Sequence, residues 1–192
     1  MAIFVTGGAR SGKSHFAEQL AAKKYSSGIY IATSEALDDE MSERIQKHQA
    51  DRLRSGFLWE TIEVPLQLSN TLQQLRASSS DEMQHRVVLV DCLTLWLSNW
   101  FFALEAEERR EELLQLEIQK LAEEVKLYPY PLIIVSNEVG DGIVPMDALS
   151  RKYRDEAGRL NQAIAHHCKQ AFLVTAGIPV DLKRIAFQWE EL

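Results

Sequence analysis

The stretch "IFVTGGARSGKSHFAEQLA", residues 3–21, decides the fold. Ile3, Phe4 and Val5 make a short apolar run, two glycines follow, and Arg10, Ser11, Gly12, Lys13 and Ser14 lead into a helical pattern. Gly7-Gly8-Ala9-Arg10-Ser11-Gly12-Lys13-Ser14 fits G-x-x-x-x-G-K-[ST], with a strand pattern before it and a helix pattern after it. Glycines let successive backbone N–H groups curl inward onto phosphate oxygens. A helix starting near Gly12 adds its positive dipole end. Lys13 is then expected to reach the β and γ phosphates of a nucleoside triphosphate, and the Ser14 hydroxyl to coordinate Mg2+.

Outward from this stretch, short apolar runs alternate with helical patterns. Strands are expected at Ile3–Thr6, Gly28–Ala32, Trp59–Val64, Val87–Asp91, Leu132–Ser136 and Ala171–Thr175. Helical patterns lie near 13–24, 38–54, 66–77, 93–104, 107–127 and 147–169. Val87–Val90 and Leu132–Val135 are apolar at consecutive positions, as in strands buried on both faces. This alternation predicts an α/β fold: a mostly parallel sheet flanked by helices on both faces, with ligands at the carboxyl ends of the strands. Residues 76–86, "RASSSDEMQHR", read as a loop. The charge-rich run at 105–126 reads as a solvated outer helix, with Leu113, Leu116, Leu121 and Val125 near helical spacing.

At 192 residues the chain fits a single domain, 1–192, with a proper core. A formal net charge of −7, from 21 basic and 28 acidic residues, argues against nucleic acid as a general partner. Cys92 and Cys168 suit a reduced compartment and give no disulfide framework. The most apolar window, residues 93–104, is shorter than the roughly 20 residues of a membrane span, and Ser98 and Asn99 interrupt it. The N-terminus lacks the pattern of a signal peptide. The expected location is cytoplasmic.

Asp91 ends an apolar strand, where a second Mg2+ contact belongs; a helix N-cap is its other reading. No N-K-x-D motif is present, and Asp155–Gly158 fits D-x-x-G without a buried strand before it, so a switch GTPase is not indicated. The segment "YIATSEALDDEMSERIQKHQADR", residues 30–52, is the second unusual stretch. Its strand ends in Ala32-Thr33-Ser34, where a ligand would lie. In the helix pattern that follows, Met41, Ile45 and His48 share a stripe, and Arg44 and Arg52 flank His48 one turn each way. His48 reads either as a packed histidine or as a neutral imidazole nucleophile near bound phosphates.

Taken together, "VTGGARSGKS", "YIATS" with "DDEMSERIQKHQADR", "VVLVDCLTLWLSN", "VSNEVGDGIVP" and "YRDEAGRLNQ" with "AGIPVDLK" resemble the bifunctional adenosylcobinamide kinase / adenosylcobinamide-phosphate guanylyltransferase family of cobalamin biosynthesis. The matching pieces run nearly end to end. The resemblance implies a RecA-like P-loop fold and a homotrimer. It implies phosphorylation of adenosylcobinamide with ATP or GTP, then transfer of GMP from GTP to the new phosphate, giving adenosylcobinamide-GDP and pyrophosphate. The transfer is expected to pass through GMP carried on the histidine that matches His48. By the same match, Ala32, Thr33, Ser34, Gln49, Ala50, Asp51, Arg52, Glu63 and Asp91 belong around the nucleotide, and Lys13 joins His48 in catalysis. The rival readings are a P-loop small-molecule kinase with a structural His48 and a nucleotide-binding regulatory module.

Other residues keep two readings each. Asn137 and Glu138, in the shaped loop 136–145, either touch substrate or serve the turn. Arg151, Lys152, Arg154 and Arg159 either meet phosphates or form a solvated face. Trp96, Trp100, Phe101 and Phe102 either greet a corrinoid or belong to the core or a subunit interface. Residues 166–168, "HHC", do not have the spacing of a metal site.

Overall fold

Strands without a polar position have to be covered on both sides, and the central strands of this chain are. The computed structural model describes residues 2–34, 52, 54, 56–78 and 81–188. Seven strands form one sheet: β1 (Ala2–Gly7), β2 (Ser27–Ala32), β3 (Leu58–Glu63), β4 (Arg86–Asp91), β5 (Leu132–Asn137), β6 (Gln170–Thr175) and β7 (Ile178–Asp181). Their order is β3-β2-β4-β5-β1-β6-β7, parallel throughout except for β7, which runs antiparallel to β6. The helices among the described residues are α1 (Lys13–Lys24), α2 (Leu68–Ala77), α3 (Asp81–His85), α4 (Leu93–Ala103), α5 (Arg110–Leu127), α6 (Ala148–His167) and α7 (Leu182–Ile185).

Period-two alternation divides the strand side chains between two cores. Ile3, Val5, Val87, Leu89, Ile133 and Val135 pack with Ala17 and Ala21 of α1 on one face. Phe4, Ile31, Val88, Val90 and Ile134 pack on the other face with residues of α2, α4, α5 and α6, among them Leu72, Trp96, Leu121 and Leu160. All six expected strands are present, within one residue at each end. The expected helix at 38–54 lies outside the described residues, apart from Arg52 and Arg54.

Three expectations are corrected. β7 was not foreseen: it is four residues long, holds Pro179 and is largely exposed, so its sequence carries no apolar period. The segment expected as a loop at 76–86 contains α3, whose Met83 is buried in the core. The outer helix, α5, is buried along Leu114, Ile118, Leu121 and Val125, whereas Leu116 is 46% exposed. It is held by more than apolar contact. Arg76 of α2 makes a two-pronged pair with Glu124 at 2.6 and 3.2 Å, and Gln115 donates to Glu156 of α6. Both acids are nearly buried, so their partners offset a desolvation cost that an unpaired carboxylate could not meet. No helix of the described residues is long and apolar enough to cross a membrane.

The corrected α5 stripe is open to measurement. Leu121→Ala should lower unfolding free energy by about 2–5 kcal/mol. Leu116→Ala should stay within about 0.5 kcal/mol of the parent. Urea titrations of the two variants should therefore separate clearly; equal midpoints would refute this packing.

Candidate active site

The phosphate loop runs from the last residue of β1 into α1. Gly12 is the N-cap of α1 at φ 95°, and Arg10 also takes positive φ at 56°. These left-handed turns bring consecutive N–H groups to one side of the loop. The carbonyls are tied elsewhere: Gly7 O accepts from Glu138 N at 3.0 Å, and Gly8 O accepts from Ser11 N at 3.3 Å and from Lys13 Nζ at 3.2 Å. Lys13 is 8% exposed, so its ammonium is held at the loop rather than in solvent.

The unforeseen hairpin buttresses this loop. Ala176 and Gly177 both have positive φ and join β6 to β7 as a tight two-residue turn. The Gly177 N–H donates to Ser11 O at 2.9 Å. A side chain at Gly12 would stand 3.2 Å from the Gly177 Cα, and one at Gly7 only 2.3 Å from the Val174 carbonyl oxygen. The neighbouring backbone excludes a side chain at Gly7, and at Gly12 a left-handed φ together with the tight contact favours glycine.

Farther along the same edge, Ala32, Glu63 and Asp91 stand level on β2, β3 and β4. Asp91 is half-buried, and its Oδ2 accepts from the Tyr30 hydroxyl at 2.8 Å. The Arg52 guanidinium stacks over the Tyr30 ring at 3.7 Å and is 5% exposed. Burial, then the Asp91 charge, pushes the Tyr30 hydroxyl well above its ordinary pKa, so it stays a donor. Asp91 is not a helix cap: Cys92 occupies the N-cap position of α4, without a side-chain cap. Ser14, in the first turn of α1, has no hydrogen-bond partner for its hydroxyl among the described residues. Two hard oxygen donors, Ser14 and Asp91, suit Mg2+ carried with phosphates; no cluster of three or more His, Cys, Asp or Glu side chains exists among the described residues.

A buried polar floor fixes these strand ends. The Thr33 hydroxyl donates to Cys92 O at 2.7 Å and accepts from Cys92 N at 2.8 Å. Thr33 is fully buried with its hydroxyl engaged on both sides, which makes it a support of the β4–α4 turn rather than a free contact for a nucleotide. Asn99 Nδ2 donates to Thr33 O at 2.8 Å and Pro65 O at 3.0 Å. Ala32 and Ser34 are half-buried at the edge, and Glu63 is exposed. His48, Gln49, Ala50 and Asp51 lie outside the described residues, as does Arg44. Tyr30 and Asn99 were missed from the sequence. The one signal for Asn99 was a polar residue inside the most apolar window.

The model of the family described as cobinamide kinase / cobinamide phosphate guanyltransferase matches residues 3–182. The chain belongs to that family. The bifunctional adenosylcobalamin biosynthesis protein CobP of Pseudomonas aeruginosa is 44% identical over 183 residues, 95% of this chain and 98% of the relative. The bifunctional adenosylcobalamin biosynthesis protein CobU of Escherichia coli is 38% identical over 191 residues, 95% of this chain and 100% of that one. Among solved structures, a prototypical ATPase from the type III secretion system of pathogenic bacteria is similar in fold, with 13% identity and a TM-score of 0.52 over all of this chain and 60% of that one. The fold is that of a RecA-like P-loop protein.

Within this cobinamide kinase / guanyltransferase family member, the remaining expectations divide. Trp96 is core, fully buried, and its indole donates to Leu66 O at 2.8 Å. Trp100 and Phe101 are half-buried and Phe102 is 63% exposed; they line a cavity of about 240 Å3 with Leu114 and Tyr153. Arg151 donates to the carbonyls of Pro145 and Met146, Arg154 to Gly140 O, Lys152 to Glu111 and Arg159 to Glu156. Arg151 and Arg154 thus brace the 138–147 loop and Lys152 reaches α5, whereas Arg159 pairs within its own helix. His166 and His167 pack edge to face and form no metal cluster with their described neighbours.

The buried thiols give a pH test. Burial, reinforced by the Asp91 charge, pushes Cys92 up to about 11, and burial pushes Cys168 up to about 12. The native chain at pH 8 should therefore react with a disulfide reagent at least ~100-fold more slowly than the unfolded chain, which should titrate both thiols. Unfolded thiols ionise first, so stability should fall as pH rises from about 9 toward 11. Rapid labelling of the native chain would contradict this burial.

Proposed function

We propose that this chain phosphorylates the aminopropanol hydroxyl of adenosylcobinamide with ATP or GTP, then transfers GMP from GTP to that phosphate by way of GMP on His48. The products are adenosylcobinamide-GDP and pyrophosphate. The observation that carries the reading is the composition of one sheet edge: the Lys13 loop, Asp91 and Arg52 stand together at the carboxyl ends of β1, β4 and β2 in a member of this family. Arg52 is the last residue of the R-I-Q-K-H-Q-A-D-R segment that contains His48.

In the kinase step the loop amides of residues 8–14 hold the phosphates, and Lys13 Nζ exchanges Gly8 O for β and γ oxygens. The substrate oxygen forms a bond to the γ-phosphorus as the bond to the β-phosphate oxygen breaks. In the second step a His48 ring nitrogen bonds to the α-phosphorus of GTP and pyrophosphate departs. The cobinamide phosphate then displaces the imidazole. Ser14 and Asp91 are the residues that would hold Mg2+, whose charge stabilises the phosphate oxygens when it is bound. Ser34, Gln49, Ala50, Asp51 and Glu63 complete the nucleotide surroundings on this reading, and Ala32 lends backbone. The whole chain is read as one catalytic domain, cytoplasmic and homotrimeric. Ile143, Val144 and Met146, apolar and exposed on the loop after β5, support self-association.

Intact-protein mass after incubation with GTP and Mg2+ tests the covalent step. The chain should gain one GMP that mild acid removes, and His48→Ala should gain none. Lys13→Ala should slow both steps by at least ~100-fold. An unmodified mass, with GTP binding demonstrated, would sink the covalent step and leave a plain P-loop kinase.

A further inference from the structure

We infer that Glu138 is the general base of the kinase step, taking the proton of the substrate hydroxyl as its oxygen attacks the γ-phosphorus. The inference rests on the proposed kinase reading and gives it a catalytic residue that the phosphate loop itself does not contain.

β5 lies beside β1 in register, with Asn137 paired to Gly7. Glu138 is the next residue, and its N–H donates to Gly7 O at 3.0 Å. Its main chain is thus fastened to the first residue of the phosphate loop. On the other side of β1, β6 ends in Thr175, which offers no carboxylate. Asp91 is one strand farther away, on β4, and already accepts from Tyr30. By strand order, Glu138 is the strand-end carboxylate closest to the loop among the described residues.

The side chain is positioned with one oxygen left over. Glu138 Oε1 accepts from the Gly140 N–H at 2.5 Å, and Gly140 O accepts from Arg154 of α6. Gly140 is therefore held by α6 through its carbonyl and holds the carboxylate through its N–H. A side chain at Gly140 would stand 2.8 Å from Oε1, the movable end of the Glu138 side chain, and would displace that carboxylate from its present position. Glu138 is half-buried, and its Oε2 carries no hydrogen bond among the described residues. Asn137 next to it is a contrast. Its Nδ2 donates to Thr94 Oγ1 and its carbonyl accepts from Asn161, so it serves the turn.

The chemistry of the two steps separates them. An alcohol must lose its proton as it forms the O–P bond, and a carboxylate within hydrogen-bond reach accepts it. The O–H proton goes to Glu138 Oε2, the O–Pγ bond forms, and the nucleoside diphosphate leaves with the electron pair of the broken Pγ–O bond. The acceptor in GMP transfer is a phosphate monoester, largely ionised at pH 7 because its second pKa is about 6. It needs no base.

The test compares rates of adenosylcobinamide phosphorylation and of GMP transfer to separately supplied adenosylcobinamide phosphate, in the full chain and in Glu138→Gln. The isosteric amide keeps an acceptor for Gly140 and removes the base. The ratio of kinase to transfer rate should fall at least ~100-fold, and the acid limb of the kinase pH profile should disappear. Glu138→Asp, which retains a carboxylate, should recover at least tenfold of the kinase loss, about 1.4 kcal/mol in barrier. GTP affinity and thermal midpoint, measured alongside, separate a folding defect from a chemical one. A ratio within threefold of the parent, or equal losses in the Gln and Asp variants, overturns the role of Glu138 and leaves the kinase reading standing. A parent chain that transfers no phosphoryl group overturns both.

Discussion

A loop that turns its amides toward an anion has to dispose of its carbonyls, and that constraint organises the ligand edge of this sheet. Gly7 O is taken by the backbone beyond β5, Gly8 O by Ser11 and Lys13, Ser11 O by the β6–β7 turn and Gly12 O by Phe16 of α1. The acceptors are satisfied from the strands on either side of β1 as well as from the loop and its helix. Ordering a free chain of this kind costs about 1–2 kcal/mol per residue. Here the cost is met during folding, so a phosphate meets a preorganised cradle.

The same logic holds one and two strands away. Ala32, Glu63 and Asp91 stand level on adjacent strands, and Thr33 and Asn99 join the segments just beyond them. A buried polar group without a partner costs about 1–3 kcal/mol, so these hydrogen bonds specify one arrangement of the three strand ends rather than merely adding stability. Tyr30 then holds one oxygen of Asp91. Arg52 over the Tyr30 ring ties the end of the R-I-Q-K-H-Q-A-D-R segment to this floor.

The parts of the fold legible in the sequence were those in which one local pattern carries the information. Val87–Val90 and Leu132–Val135 announce buried parallel strands, and Gly7–Ser14 announces a phosphate loop between strand and helix. The α5 stripe was largely legible: Leu121 and Val125 were on it and Leu113 packs partly buried against the same core, but Leu116 belongs to an exposed face that only the positions of α2 and α6 distinguish. β7 was illegible because a four-residue strand with proline takes its structure from its partner β6. The pairings of Tyr30 with Asp91, Asn99 with Thr33 and Glu124 with Arg76 span 61, 66 and 48 residues, and no local period encodes them. Thr33 was noticed as polar at a ligand edge, yet its hydroxyl faces inward to the Cys92 peptide.

The two proposed reactions share one phosphate loop, but their attacking groups differ in what they lack. An alcohol lacks a free electron pair of sufficient basicity until its proton is removed, whereas a neutral imidazole and an ionised phosphate already have one. One carboxylate beside the loop then serves the kinase step on the proposed reading, and the transfer step needs none. The cradle's other demand, charge neutralisation by Lys13 and the loop amides, is common to departure of a nucleoside diphosphate and of pyrophosphate. What the second reaction adds, on the same reading, is a nucleophile at the α-phosphorus. On the proposed reading, phosphoryl transfer draws on the sheet edge that holds Lys13 and Asp91, and nucleotidyl transfer additionally requires the nucleophile proposed at His48.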